Sequence, residues 1–459
     1  MRRLLGFLLA AAVSGCSADA DHQAAAPPPA PPPPPPPSVV PSAAAAPAPA
    51  PTATAAAEAP PPPLSAPPGK LSVLLLTIDS LRADMPWAGY ERDIAPNLTA
   101  FEKTAVSYTH AYSVSSYTAM SLAGLLAGRY PGELDRSGYF FSSYPDTVLM
   151  FPALLQKAGV RTLAAQAHFY FDKDHAGFHR GFDVWEMVKG IKADNKTDEN
   201  ITSPDHEALA EKILGDKANT GGQFFAWFHF MDPHDEYMPH PGIGPYGKTA
   251  RDKYDAEVTF TDQHIGKLLA FVAAQPWGKD LAVIVSSDHG EAFHEHKMWR
   301  HGFEIYEMLV RVPLMIRAPG TTARRIDTPR SAIDLAPTIL DLEGAPPEPS
   351  FAGKSLVPEL YGKPAEDRDV IVDLPRTSDN DRRRALVHMP YKIIAWGDDY
   401  SFEFFDIAAD PGETHDLKRD DPAAFEEMKR RYKEAVARIK DKCPKHTDKL
   451  KGKDKHRRC

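Results

Sequence analysis

The 459-residue chain is poor in cysteine, with only Cys16, Cys443 and Cys459. That scarcity excludes a disulfide-stapled scaffold and a cysteine-built metal site. A net positive charge is missing as well: 53 Lys and Arg face 62 Asp and Glu, so no global basic field draws the chain to nucleic acid. The apolar run near the N-terminus, within MRRLLGFLLAAAVSGC, is shorter than the roughly 20 residues of a spanning helix. What is present suits a folded protein. Hydrophobic residues make up 43% and charged residues 25%, in a chain long enough for a large core and more than one domain.

Proline is abundant, but many of the 45 prolines precede residue 70. Residues 17–69 are nearly all Ala, Pro and Ser, a composition that buries no core and extends as polyproline II, so they read as a stalk. Residues 1–16 have two arginines, an apolar run and small residues, the three-part design of a secretory signal. The segment VSGC resembles a bacterial lipobox with Cys16 as the lipidated residue, and Ser17 after it points to outer-membrane sorting. The expectation is a bacterial cell-envelope protein, held to the membrane by that lipid and facing the periplasm or the surface. In that oxidising setting Cys443 and Cys459 either pair or stay free. Residues 441–459 form a basic tail, read as solvated.

The folded part begins at KLSVLLLTIDSLRAD. Leu71 to Ile78 predicts a buried parallel strand, and FFAWFHF (224–230), LAVIVSS (281–287) and VPLMIRA (312–318) predict others. A helix is expected around APNLTAFEKTAVSYTHAY, and another where Tyr254, Val258, Ile265, Leu268, Leu269 and Val272 line one face. Alternating strands and helices imply an α/β fold, a large mainly parallel sheet sandwiched by helices, over residues 70–365. Residues 366–440 predict antiparallel strands and a closing helix, a smaller C-terminal α+β subdomain.

Ligands of open α/β sheets bind beyond the carboxyl ends of the strands. Two predicted strands end in acids there, one at Asp79 and one at Asp288 followed by His289. Singly, each aspartate reads as a turn cap. Together, Asp79, Asp288 and His289 make a candidate site for one divalent cation, Ca²⁺, Mg²⁺, Mn²⁺ or Zn²⁺. A second metal would need Asp232, His234 and His301 as well. SSYTAMSLAGLLAGRYP (115–131) predicts a loop entering a helix that ends at Gly128. Thr118 stands at the head of that helix, either as an ordinary cap or as a hydroxyl activated to attack phosphorus or sulfur. His168, His234, His296 and His301 follow predicted strand ends and are candidates for proton transfer or anion contact.

These segments carry a resemblance. LLLTIDSLRADMPWAGY, APNLTAFEKTAVSYTHAY, TAMSLAGLLAGRYP, SSDHGEAFHEHKMWRHG, VPLMIRAPG and the later YKIIAWGDDYSFEFFDIAADPGETHDL resemble, in order, the sulfatase branch of the alkaline phosphatase superfamily. The resemblance implies an α/β sandwich with a smaller C-terminal sheet, a cation on Asp79, Asp288 and His289, and a nucleophile at Thr118. It also shows departures. Sulfatases carry Cys or Ser in C/S-x-P-x-R, oxidised to formylglycine, whereas this chain reads Thr118-Ala119-Met120-Ser121-Leu122. Ser80 stands where a second acid is common, Gln166-Ala167-His168 where a Lys-x-His pair clamps sulfate, and His301 where a later lysine stands. Threonine nucleophiles are typical of relatives that handle phosphate esters. The expected activity is therefore metal-dependent hydrolysis of phosphate mono- or diesters, with Thr118 attacking, His234 or His301 as proton donor, and His168 and His296 at the substrate. The alternatives are a sulfatase working without formylglycine, an envelope phosphoethanolamine or phosphoglycerol transferase, and a non-catalytic binding lipoprotein. The expected substrate is a small-molecule or envelope-polymer ester.

Overall fold

The apolar run after Lys70 forms a strand over Ser72–Ile78, and its alternation divides the core in two. Val73 and Leu75 enter one hydrophobic cluster, and Leu74, Leu76 and Ile78 enter the other. Each such side chain contributes about 1.5–3 kcal/mol by leaving water. The computed structural model describes residues 69–192 and 199–444. Cys16, nearly all of the 17–69 stretch and the tail beyond Pro444, including Cys459, lie outside the described residues. Cys443 is disulfide-bonded. No helix among the described residues is long and apolar enough to cross a membrane.

Ser72–Ile78 is the centre of an eight-stranded sheet. The order is Arg324–Ile326, Val106–Tyr108, Leu314–Arg317, Leu281–Ser287, Ser72–Ile78, Phe224–Phe230, Arg161–Gln166 and Val184–Met187. From Leu281–Ser287 to Val184–Met187 every pairing is parallel, while Leu314–Arg317 runs antiparallel to both neighbours. The Thr118–Ala127 helix packs on one face through Ala119, Met120 and Leu122. The long helix Ala250–Ala274 packs on the other through Tyr254, Val258, Ile265 and Leu268, and Thr249 and Asp252 close its N-terminus as a capping box.

The C-terminal part is a four-stranded antiparallel sheet, Val370–Leu374, Arg383–His388, Tyr391–Trp396 and Ser401–Asp406. The helix Pro422–Val436 covers one face, Met428 and Tyr432 packing with Leu386, Ile393 and Phe404. On the other face Ala385, Val387, Ile394 and Phe405 join the large core. The expected α/β architecture with a smaller C-terminal α+β part is the one formed.

Two local expectations change. The helix expected across residues 95–112 covers only Pro96–Glu102; beyond it Val106–Tyr108 and Ala111–Tyr112 are short strands. Their buried β-branched and aromatic side chains pair with other strands, and tertiary contacts override the local helical pattern. The strand expected over 312–318 is broken at Pro313 into Arg311–Val312 and Leu314–Arg317, which join different sheets. Proline has no N–H for a ladder bond, so a central strand does not run through it.

Candidate active site and metal centre

The parallel register levels the carboxyl ends of the three central strands, with Ile78 opposite both Phe230 and Ser287. Asp79 and Asp288, one residue further on, therefore leave the sheet side by side, and both are fully buried. Ser287 Oγ ties the two strand ends, lying 2.6 Å from the carbonyls of Ile78 and His289 and accepting the Leu81 amide at 3.1 Å. Ser80 turns through a left-handed φ of 57° and its hydroxyl donates to Asp79 Oδ1 at 2.7 Å.

Sequence reasoning missed His229. It lies in the register opposite Thr77, whose Oγ1 is 2.8 Å from His229 Nδ1. Trp227 Nε1 donates to the same Thr77 hydroxyl at 2.9 Å. The other imidazole nitrogen reaches the acids, 3.3 Å from Asp79 Oδ2 and 3.9 Å from Asp288 Oδ2. The available signal was a titratable residue one place before the end of an otherwise apolar strand. Its meaning needed the neighbouring strand.

Thr118 is the first residue of its helix, and Tyr117, not Thr118, occupies the cap position. Its hydroxyl does not cap the helix. Thr118 Oγ1 lies 3.0 Å from Asp79 Oδ2 and 3.1 Å from His289 Nε2. His289 Nδ1 donates to the Gly290 carbonyl at 2.9 Å, which leaves the Nε2 lone pair of the neutral ring facing Thr118. Two acceptors thus converge on one hydroxyl proton.

The structure gathers His289, His301, His234 and His168 into a line of ring contacts, with centroids 4.2, 5.1 and 6.3 Å apart in that order. His301 Nδ1 lies 3.2 Å from Glu291 Oε1, His234 Nδ1 donates to the Asp235 carbonyl at 2.7 Å, and His168 Nδ1 accepts the Tyr170 amide at 3.2 Å. His296 does not join this line. It stacks on Tyr306 at 3.8 Å and donates to the Gly412 carbonyl at 2.9 Å. Asp232, weighed as an extra ligand, instead accepts the amides of Thr202 and Ser203 at the start of the Ser203–Gly215 helix. Among the described residues, Asp79, His229 and Asp288 form the cluster whose donor atoms could hold a metal.

The electrostatics follow from burial and like charge. Burial pushes Asp288 well above the ordinary carboxylate range, and the Asp79 charge adds to it. Asp79 is equally buried, but His289, His234 and His229 outweigh that and hold its carboxyl well below the range. Burial, then the His301 charge, lowers His289 to about 3, leaving its nitrogen free to accept. Burial lowers His168 to about 3 as well. His301 moves the other way: burial works against its charged form, yet the Glu291 carboxylate prevails and raises it.

A divalent cation fits these residues. Asp288 Oδ2 is buried and accepts no hydrogen bond among the described residues; the nearest imidazole nitrogens stand 3.4 and 3.9 Å away. No lysine or arginine among the described residues pairs with either aspartate. Ligand atoms of Asp79, His229 and Asp288 all lie within 4.8 Å of one another. Two carboxylates and one or two imidazoles are donors for Mn²⁺ or Zn²⁺ as well as for harder cations.

Comparison with known proteins identifies the family of the chain. A family model described as "Sulfatase" matches residues 72–345, and one described as "N-sulphoglucosamine sulphohydrolase, C-terminal" matches residues 294–442. The chain is 28% identical over 244 residues to the uncharacterized sulfatase YidJ of Escherichia coli, covering 51% of this chain and 45% of that protein. It is 25% identical over 419 residues to an ulvan-active sulfatase of Formosa agariphila, covering 76% and 77%. Among solved structures, a 2-O GAG sulfatase (BT1596) superposes with a TM-score of 0.68 at 19% identity, covering 80% of this chain and 92% of that one. The phosphonate monoester hydrolase of Agrobacterium radiobacter superposes with a TM-score of 0.65 at 17% identity, covering 80% and 95%. At such identities the structural likeness speaks for the fold, and the family match speaks for descent: this chain belongs to the sulfatase family of the alkaline phosphatase superfamily, a family of ester-bond hydrolases.

Proposed function

We propose that this protein is a metal-dependent hydrolase of phosphate mono- or diesters that uses Thr118 as its nucleophile. The observation that carries the reading is the placement of Thr118 Oγ1 between two proton acceptors, Asp79 Oδ2 and His289 Nε2, rather than in a helix cap. Asp79, His229 and Asp288 would hold a divalent cation, which when bound supplies positive charge that favours the alkoxide and offsets charge on the transferring group. As Thr118 Oγ1 bonds to phosphorus, its proton passes to His289 Nε2, whose imidazolium then lies 3.7 Å from Asp79 Oδ1. The ester P–O bond breaks, and the departing oxygen takes a proton from His301, the histidine that Glu291 biases toward its charged form. Water then attacks the phospho-threonine as the neutral His301 takes its proton; the Thr118 Oγ1–P bond breaks, the His289 imidazolium returns its proton to Oγ1, and phosphate, or a phosphate monoester from a diester, leaves. His168 and His234 face the non-bridging oxygens.

A second reading is hydrolysis of a sulfate ester without formylglycine, favoured by the family match and by the sulfatases among the relatives. The two separate in one assay. The purified protein is supplied with Ca²⁺, Mg²⁺, Mn²⁺ or Zn²⁺ in turn and offered aryl phosphate mono- and diesters beside an aryl sulfate. Phosphate-ester turnover that falls at least about a thousandfold in Thr118→Ala is the expected result, with a phosphoryl group trapped on Thr118 by mass spectrometry. Turnover of the sulfate alone, or full activity in Thr118→Ala, overturns the proposal. For the N-terminus we propose lipidation at Cys16 and envelope anchoring, checked by loss of membrane partitioning in Cys16→Ala.

A further inference from the structure

The nucleophile stands beside a second set of rings, apolar ones. Tyr117, the residue before Thr118, stacks on Phe140 with centroids 4.4 Å apart. Phe140 in turn stacks on Phe303 at 5.7 Å and meets Phe141 edge-on at 5.5 Å. Phe141 reaches Phe169 at 6.1 Å, and Phe169 packs on His168 at 4.4 Å. The histidine line then leads from His168 back to His289, against Thr118 Oγ1. The rings therefore close a circuit whose two ends flank the nucleophile, half of it imidazole and half of it phenyl.

The phenyl half faces water. Phe141 is 45% exposed and Phe303 46%, among the few large hydrophobic side chains so exposed in the described residues. Hydrophobic exposure gathered in one place marks a binding surface, whereas single exposed residues do not. The wall is also held in shape. Gly302 has a φ of 92°, and a Cβ there would meet the Phe140 ring at 2.7 Å, so the approach of the two segments requires glycine. Asn380 Nδ2 donates to the Phe303 carbonyl at 3.1 Å, and Ser142 Oγ donates to the Tyr139 carbonyl at 2.8 Å.

Two arginines lie on the segments that carry this wall. Arg300, next to His301, is ion-paired with Asp235 and Glu236. Arg136, on the segment that carries Phe140, is buried and points Nη1 at main-chain carbonyls. Both arginines are thus already engaged, while the face of a planar apolar ring finds three phenyl groups.

We propose that Phe140, Phe141 and Phe303 form the leaving-group subsite of this enzyme and that it takes an aryl ester. The proposal rests on Thr118 as the reacting centre, and equilibrium binding tests it without turnover. Phenylphosphonate and methylphosphonate are titrated into the full-length Mn²⁺-loaded protein by calorimetry, with benzenesulfonate and methanesulfonate run alongside so that a preference for sulfur over phosphorus does not obscure the result. The phenyl member of a pair is expected to bind about tenfold more tightly than its methyl counterpart. In Phe141→Ala/Phe303→Ala that ratio falls toward one, and in Phe141→Leu/Phe303→Leu it falls part of the way, with unchanged thermal melting as the check on folding. Equal affinities within both pairs, an unchanged ratio in the double alanine variant, or tighter binding of glucose 1-phosphate than of phenylphosphonate overturns the proposal. Loss of the Thr118 mechanism would show instead in the turnover assay, which the binding ratio does not enter.

Discussion

Two clusters of buried carboxylates in this molecule have opposite characters. At the contact between the large domain and the C-terminal sheet, Lys392 is fully buried between Glu307 and Glu413, with Nζ 3.0 and 2.9 Å from their carboxylate oxygens. Tyr112 adds a hydroxyl bond to Glu307 at 3.2 Å. At the sheet edge, Asp79 and Asp288 are as deeply buried, yet no ammonium or guanidinium pairs with them among the described residues, and Asp288 Oδ2 has no donor. The first cluster holds its own counter-ion and works as structure. The second has imidazoles and no lysine or arginine among the described residues, the donor set of a possible cation site. Buried acid alone does not mark a functional site; buried acid without a counter-charge does.

The largest effect that would test this contrast is expected at the closed cluster. Lys392→Met leaves two buried carboxylates facing each other and should cost about 3–5 kcal/mol of stability, read from denaturant unfolding, with metal affinity unchanged. A small cost would mean that the cluster is not closed as described.

Glu257 is an intermediate case, a buried carboxyl with a single imidazole, His240 Nε2, at 2.5 Å. Burial pushes it up to about 7 from an ordinary 4.5, against the pull of His240. The folded state therefore holds this proton more tightly than the unfolded chain. The group's contribution to stability is present below about pH 4.5 and is lost as pH rises to about 7, by up to about 3 kcal/mol. Glu257→Gln should flatten the melting temperature across that window, and an unaltered slope would assign the pH dependence elsewhere.

The open cluster should respond to metal. Mn²⁺ or Zn²⁺ at a hundredfold excess over its dissociation constant should stabilise the protein by about 2.7 kcal/mol. Asp288→Asn should abolish that gain while leaving the metal-free protein no less stable, since burial and Asp79 already favour the uncharged form of this carboxyl and its Oδ2 accepts no hydrogen bond among the described residues. Metal-free destabilisation in Asp288→Asn would place this aspartate with the structural acids. The smallest expected change is at Thr77. Thr77→Val removes the hydroxyl that orients His229 and should weaken Mn²⁺ or Zn²⁺ binding about tenfold, by calorimetry, with Ca²⁺ affected less.

Part of this was legible beforehand. The central strands were visible as continuous apolar runs, and Asp79, Asp288 and His289 stood out because each follows such a run. Thr118 was visible as the head of a helix but not as a residue whose hydroxyl avoids capping. His229 was hidden inside FFAWFHF, where a single histidine reads as core. His296 and His301, five residues apart, were both expected at the site, His296 at the substrate and His301 as proton donor, yet the turn between them sends one to Tyr306 and the other to Glu291.

The sequence by itself determined the alternation of strands and helices, the acids at the strand ends and the family resemblance, because these depend on local periodicity and on residue order. Only the tertiary structure decided which groups meet. Parallel register set Thr77 against His229 and brought Asp79 beside Asp288, and the packing of loops placed Phe140 between Tyr117 and Phe303. Those contacts join residues far apart in the chain. Their distances follow from strand pairing and core packing, which no local pattern encodes.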